Sequence, residues 1–147
     1  MHFLVFFGNR STLEDSRREL GVDEIISVYI CDDVASLRLV IRTVLELDGD
    51  VRVVGEAGDG LTALQDVERL RPDVVVLDLS LPERDGLEVL EALATLSPQT
   101  RIIVFSGYAA EQLEATALSL GAHRYVEKGT AITVVADAVR EAAKEAA

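Results

Sequence analysis

A chain of 147 residues is long enough for one ordinary globular domain and leaves room for only a very small second one. Hydrophobic residues at 49% against charged residues at 27% exclude the disordered and fibrous classes. With 14 basic and 26 acidic residues the formal net charge is -12, which argues against direct nucleic-acid binding, because such a surface must neutralise phosphates.

Residues 1–24 read as an N-terminal extension, a short helix or a flexible arm. Ser11 stands three positions before Glu14, the spacing of a capping box, and Gly21 is placed to end a short helix. The opening MHFLVFF lacks the basic start and cleavage site of a signal peptide, and no apolar run reaches the roughly 18 residues of a membrane span, so a cytoplasmic protein without membrane contact is expected. Cys31, the single cysteine, has no partner for a disulfide and reads as a buried strand residue.

Residues 25–147 read as one domain, in which short apolar runs alternate with segments of helical period. That is the pattern of repeated βα units and a parallel sheet. The strand candidates are Ile26 to Cys31, Val51 to Ala57, Asp73 to Leu77, Arg101 to Phe105 and Arg124 to Glu127, mostly rich in β-branched residues. Between them Leu37, Val40, Ile41, Val44 and Leu45 form one face of a first helix, and Leu61, Leu64, Val67 and Leu70 one face of a second. Leu87, Leu90 and Leu93 mark a third helix, Leu113, Ala117 and Leu120 a fourth closed by Gly121, and Ile132, Val135, Ala136 and Val139 a fifth that runs into EAAKEAA. Right-handed crossovers then give a three-layer α/β/α domain, with the residues just past each strand gathered along one sheet edge.

Those residues are Asp32 and Asp33 after the first strand, Asp78 after the third, Ser106 after the fourth and Lys128 after the fifth. Carboxylates brought close together repel unless a cation lies among them, and an all-oxygen donor set suits Mg2+, or Mn2+ in its place, better than zinc. Beside such a cation a carboxylate can attack phosphorus and form an aspartyl phosphate. Asp78 ends the apolar run VVVLD and is the candidate nucleophile, with Lys128 as a point charge for a phosphoryl oxygen and Ser106 as a hydroxyl donor to another. Each residue also has an ordinary reading. Asp33 before Val34 suits a helix N-cap, Asp78 a solvated loop, Ser106 a turn before Gly107, Tyr125 a half-buried strand aromatic, and Lys128 a surface charge. It is their joint placement at successive edge sites that points to a site. His2 and His123 read as surface residues, and GEAGDG at 55–60 lacks the Lys and Ser or Thr of a nucleotide loop.

The segments CDD at 31–33, VVVLDLSLPERDG at 74–86, VFSGY at 104–108 and GAHRYVEK at 121–128 resemble the receiver domain of two-component response regulators. The resemblance spans about 120 residues, and none of its motifs is specific alone. It implies a flavodoxin-like fold, a five-stranded parallel sheet in the order 2-1-3-4-5. It also implies that Asp78 is the phosphoacceptor, Asp33 a direct metal ligand, Asp32 a ligand through water and the Ser80 backbone carbonyl a further ligand. Ser106 becomes the switch hydroxyl, Tyr125 the switch aromatic and Lys128 the phosphate-pairing lysine. The implied partners are a sensor histidine kinase or phosphotransfer protein and a downstream protein target or a second copy bound through the helix 4/strand 5 face.

One departure is Gly129 after Lys128, where the commonest family pattern has proline, often in a cis peptide bond. GEAGDG and the KG ending are similar to receivers of LuxR-type transcription regulators, so a receiver fragment of such a regulator is one alternative. Another is a phosphatase with an aspartate nucleophile. Such enzymes commonly place a second aspartate two residues on as acid and base, where this chain has Ser80, a poor proton donor at neutral pH. The domain is otherwise expected to catalyse only its own phosphorylation and dephosphorylation.

Overall fold

The structure is a computed structural model that describes residues 25–145. The N-terminal extension expected over 1–24 lies outside the described residues. Among the described residues five β-strands and five α-helices alternate: β1 (Ile26–Cys31), α1 (Ala35–Glu46), β2 (Val51–Ala57), α2 (Gly60–Leu70), β3 (Val74–Leu77), α3 (Gly86–Leu96), β4 (Arg101–Ser106), α4 (Ala110–Ser119), β5 (Arg124–Glu127) and α5 (Ile132–Glu145). The strands form one parallel sheet in the order β2-β1-β3-β4-β5, the flavodoxin-like order that the resemblance implies. Two strand bounds move by one residue. Asp73 precedes β3 because its carboxylate is engaged with Ser27, and Ser106 joins β4 because it pairs with Glu127.

Each face of the sheet carries its own core, as alternating strand residues must when both faces are covered. On one side Val28, Ile30, Val74, Val76, Ile103 and Phe105 pack with Ile41 and Leu45 of α1 and Val135 and Val139 of α5. On the other, Tyr29, Cys31, Val75, Leu77, Ile102 and Val104 pack with Val67 of α2, Leu90 and Leu93 of α3 and Ala117 of α4. Burying each such aliphatic side chain contributes about 1.5–3 kcal/mol. Cys31 is fully buried, and its thiol pKa is pushed up to about 12 by burial and nearby carboxylates.

Two of the expected helix faces are narrower than the apolar pattern suggests. Val40 and Leu61 are 45% and 50% exposed, because α1 and α2 present Ile41 with Leu45 and Ala63 with Val67 to the sheet. His123 also differs from its surface reading. It is half-buried, its Nδ1 accepts from the Ile102 amide at 3.0 Å, and Nε2 lies 3.1 Å from Arg101 Nη1. Burial and the two neighbouring arginines, Arg101 and Arg124, hold its pKa below the ordinary histidine value.

The GEAGDG stretch has a structural meaning at nearly every position. The β1/β2 register slips between Val28 and Tyr29, and a Cβ on Gly55 would stand 2.9 Å from the Tyr29 ring, so glycine makes room for that ring. The Tyr29 hydroxyl reaches across to donate to Asp66 at 2.6 Å. Glu56 pairs with Arg38 at 2.7 Å and Arg42 at 2.8 Å. Asp59 caps α2 by accepting from the Thr62 amide at 2.8 Å.

Candidate functional site

The C-terminal ends of β1 and β3 are neighbours in the sheet, and the Asp78 amide donates to the Cys31 carbonyl at 2.9 Å, continuing the pairing by one residue. Asp32 and Asp78 are therefore held side by side, each only 2% exposed, while Asp33 is exposed at the open side of the pair. Carboxylate oxygens of Asp32, Asp33 and Asp78 lie within 4.8 Å of one another. Three hard oxygen donors at that spacing fit a divalent cation of the Mg2+ type, which binds through few carboxylates and keeps other positions for water or phosphate.

Asp32 is fixed on several sides. Its Oδ1 accepts from the Val34 amide at 2.9 Å, its amide donates to the Ala57 carbonyl at 3.0 Å, and its Oδ2 meets Lys128 Nζ at 2.8 Å. Asp33 does not cap α1: the N-cap residue is Val34, without a side-chain cap, so the carboxylate of Asp33 is left to face the cluster. Asp78 Oδ1 accepts from the Ser80 amide at 3.0 Å, and Oδ2 lies 3.2 Å from Lys128 Nζ.

Burial raises the Asp78 pKa above the usual carboxylate value; the Ser80 amide counters this, the Asp32 charge adds to it, and Lys128 also counters it. For Lys128, burial works against the ammonium charge, but hydrogen bonds and attraction from Asp32 and Asp78 outweigh it and hold its pKa above the usual lysine value. The ammonium group also stands 5.8 Å from the centre of the Phe105 ring. Lys128 arrives there with no cis peptide bond among the described residues: Gly129 turns the chain with φ +103°, a left-handed conformation open to glycine.

Ser106 is fully buried at the end of β4, its carbonyl accepting from the Lys128 amide at 2.7 Å and its hydroxyl from the Tyr108 amide at 3.1 Å. Ser80 is exposed beside Asp78, next to a groove lined by Arg84, Tyr108 and Gln112. Tyr125 lies on β5, half-buried. The structure thus brings Asp32, Asp33, Asp78 and Lys128 into one cluster, sets Ser80 and Ser106 beside it through the Asp78 and Lys128 amide contacts, and engages the Tyr125 hydroxyl with the loop after β4. Sequence reading missed Arg38 and Glu56, which sit behind the acidic pair. The signal lies in GEAGDG, whose glutamate near the end of a strand calls for a basic partner, and Arg38 supplies it.

A doubly wound parallel sheet with acidic and basic side chains gathered past its strand ends defines the class of α/β ligand-binding domains of flavodoxin-like topology. The sequence matches the family model described as the response regulator receiver domain over residues 28–140, and the chain belongs to that family. It is 32% identical over 119 residues to the chemotaxis protein CheY of Listeria monocytogenes, covering 81% of this chain and 99% of that protein. It is 45% identical over 108 residues to protein-glutamate methylesterase/protein-glutamine glutaminase 5 of Myxococcus xanthus, covering 73% of this chain but only 31% of that protein.

Among solved structures, the signal receiver domain of the response regulator NarL from Mycobacterium tuberculosis superposes with a TM-score of 0.77 at 34% identity, over 82% of this chain and 98% of that one. Receiver domains of this family are typically phosphorylated on an aspartate, generally bind Mg2+ in an acidic pocket, and act with histidine kinases and downstream effectors. Among the described residues, no helix is long and apolar enough to cross a membrane.

Proposed function

We propose that this chain accepts a phosphoryl group on Asp78 and relays the change through the β4–α4 loop and β5. The observation that carries the reading is the packing of the Asp32, Asp33 and Asp78 carboxylates within 4.8 Å, with Lys128 3.2 Å from Asp78. In the transfer a carboxylate oxygen of Asp78 forms a bond to phosphorus. The bond from phosphorus to the donor, an imidazole nitrogen or an acyl oxygen, breaks with its electron pair staying on the donor. Asp33, Asp78 and the Ser80 carbonyl are the residues that would hold Mg2+ or Mn2+, with Asp32 acting through water. The cation supplies neutralisation of charge on the transferring oxygens. Lys128 pairs with one phosphoryl oxygen and Ser106 donates to another.

The donor is a histidine kinase, a phosphotransfer protein or a small acyl phosphate in the cytoplasm. The output is a protein target or a second copy bound at the α4–β5 face; Leu118 of α4 is 44% exposed and Tyr108, in the loop before α4, 47%. The domain turns over only its own phosphoryl group. A general acid for phosphate esters is missing at Ser80, so the phosphatase alternative has no observation in its favour.

Incubation with an acyl phosphate and Mg2+ tests the reading. A mass gain of about 80 Da that maps to Asp78 and disappears in Asp78→Asn supports it. A gain that survives the substitution, or none in the wild type, rejects it.

A further inference from the structure

Behind the acidic pair lies a basic side chain that makes no contact with the carboxylates themselves. Arg38, on the first turn of α1 and with its side chain 17% exposed, donates from Nη1 to the main-chain carbonyl of Asp32 at 2.6 Å and from Nε to Glu56 Oε1 at 2.7 Å. Glu56 is anchored in turn by Arg42 Nη2 at 2.8 Å. The neighbouring backbone leaves space for the guanidinium: a Cβ on Gly58 would stand 3.3 Å from Arg38 Nη1 and 3.8 Å from the Asp33 Cα.

We propose that Arg38, braced by Glu56, is a positioning residue for the divalent cation, acting by fixing the peptide between Asp32 and Asp33. The inference rests on the reading that Asp33 and Asp78 hold that cation. The peptide unit is planar, so tethering the Asp32 carbonyl also sets the direction in which the Asp33 Cα projects. Asp32 has other restraints from its own side chain and amide; the exposed Asp33 depends on its backbone to aim its carboxylate. A charge-assisted hydrogen bond at 2.6 Å is among the stronger restraints available to a carbonyl.

Coulomb's law makes the proposal sharp, because charge and position predict opposite signs. A guanidinium next to a cation site repels the cation, so a role through charge alone means that removing Arg38 tightens metal binding. A role through position means that removing it weakens binding, as loss of partners that orient a ligand generally does.

The test is calorimetric titration of the phosphate-free protein with Mn2+, with urea midpoints measured alongside. The proteins are the wild type, Asp33→Asn, Arg38→Met, which keeps an apolar stem without donors or charge, Arg38→Ala, and Glu56→Ala, which keeps the guanidinium but removes the brace and its negative charge. The expected result is a Kd about tenfold higher for Arg38→Met and a smaller rise for Glu56→Ala, with urea midpoints showing both folded. Equal or tighter Mn2+ binding by Arg38→Met overturns the inference while leaving the cation site itself intact, provided that Asp33→Asn abolishes binding. If Arg38→Met does not fold, Arg38→Ala decides, and equal or tighter Mn2+ binding there overturns it. Failure of the wild type to bind Mn2+ sinks the underlying site and the inference with it.

Discussion

The hydroxyl of Tyr125 donates to the main-chain carbonyl of Tyr108 at 2.8 Å. One end of this contact is on β5, three residues before Lys128, and the other is in the loop that leaves Ser106. The Glu127 carboxylate accepts from the Ala110 amide and supplies the cap that the α4 N-cap residue, Ala109, cannot. Two β5 side chains thus hold the loop that must shift if Ser106 moves toward a phosphoryl oxygen. Tyr125→Phe removes one partly exposed hydrogen bond, costs about 0.5–1.5 kcal/mol, and loosens the loop without touching the carboxylates. Amide NMR signals of Gly107 to Ala110 should shift while those of Asp32 and Asp33 stay in place. Unchanged loop signals would remove the tyrosine from the relay.

At the opposite end of the sheet, Arg140 of α5 binds Asp50 through Nε at 2.7 Å and Nη2 at 3.0 Å, tying α5 to the start of β2. Hydrogen bonds from Arg140 hold the Asp50 pKa below its ordinary 3.8. A carboxylate with a lowered folded pKa stabilises the fold above its unfolded pKa, and this contribution is lost as pH falls through the folded value. Asp50→Asn should therefore cost about 1 kcal/mol at neutral pH, a modest figure because the pair is partly exposed to solvent. The difference from wild type should shrink to nothing under acid conditions below the ordinary carboxylate range. Urea unfolding at several pH values checks this, and a difference that persists in acid would assign the effect to packing.

The strands and the acidic edge were readable because both depend on short-range pattern: β-branched runs such as VVVL fix buried strands, and a parallel sheet brings the residues after them to one edge. What escaped was pairing between residues far apart in the chain. Tyr29 with Asp66, Arg140 with Asp50 and Arg38 with Glu56 are separated by 37, 90 and 18 positions, and nothing local marks a partner. The same limit explains His123, whose partners, the Ile102 amide and Arg101, lie 21 and 22 positions away. Val40 and Leu61 stay exposed because a stripe of apolar residues is wider than the line of contact with the sheet.

The raised pKa of Asp78 carries its own stability signature. Because burial lifts the folded value above the unfolded one, the folded state binds more protons through that interval, and stability falls as pH rises through the folded pKa. Asp78→Asn removes the buried charge and should make the metal-free protein more stable than wild type at neutral pH, an advantage that vanishes once the pH is below the ordinary carboxylate value. Added Mg2+ should stabilise the wild type by mass action and the variant far less. Thermal unfolding with chelator and with Mg2+ gives both comparisons. A variant less stable than wild type in chelator would mean that the contact with Lys128 outweighs the cost of burial.

The loop between Asp78 and α3 holds two residues whose backbones ask for opposite substitutions. Glu83 has φ +66°, a left-handed conformation costing an ordinary residue about 1–2 kcal/mol, part of which glycine would recover. Gly86 sits so close to the chain that a Cβ there would stand 2.1 Å from the Leu79 carbonyl oxygen and 2.4 Å from its Cα, both rigid main-chain atoms next to Asp78. Glu83→Gly should therefore raise stability by about 0.5–1 kcal/mol and leave the acidic cluster undisturbed. Gly86→Ala must push Leu79 away, which should cost about 3 kcal/mol and, by shifting the Ser80 amide from Asp78 Oδ1, weaken metal binding as well. Urea midpoints for the two variants should move in opposite directions. If Gly86→Ala retained both wild-type stability and Mn2+ affinity, the close approach of α3 to Leu79 would not be what holds this side of the site in place.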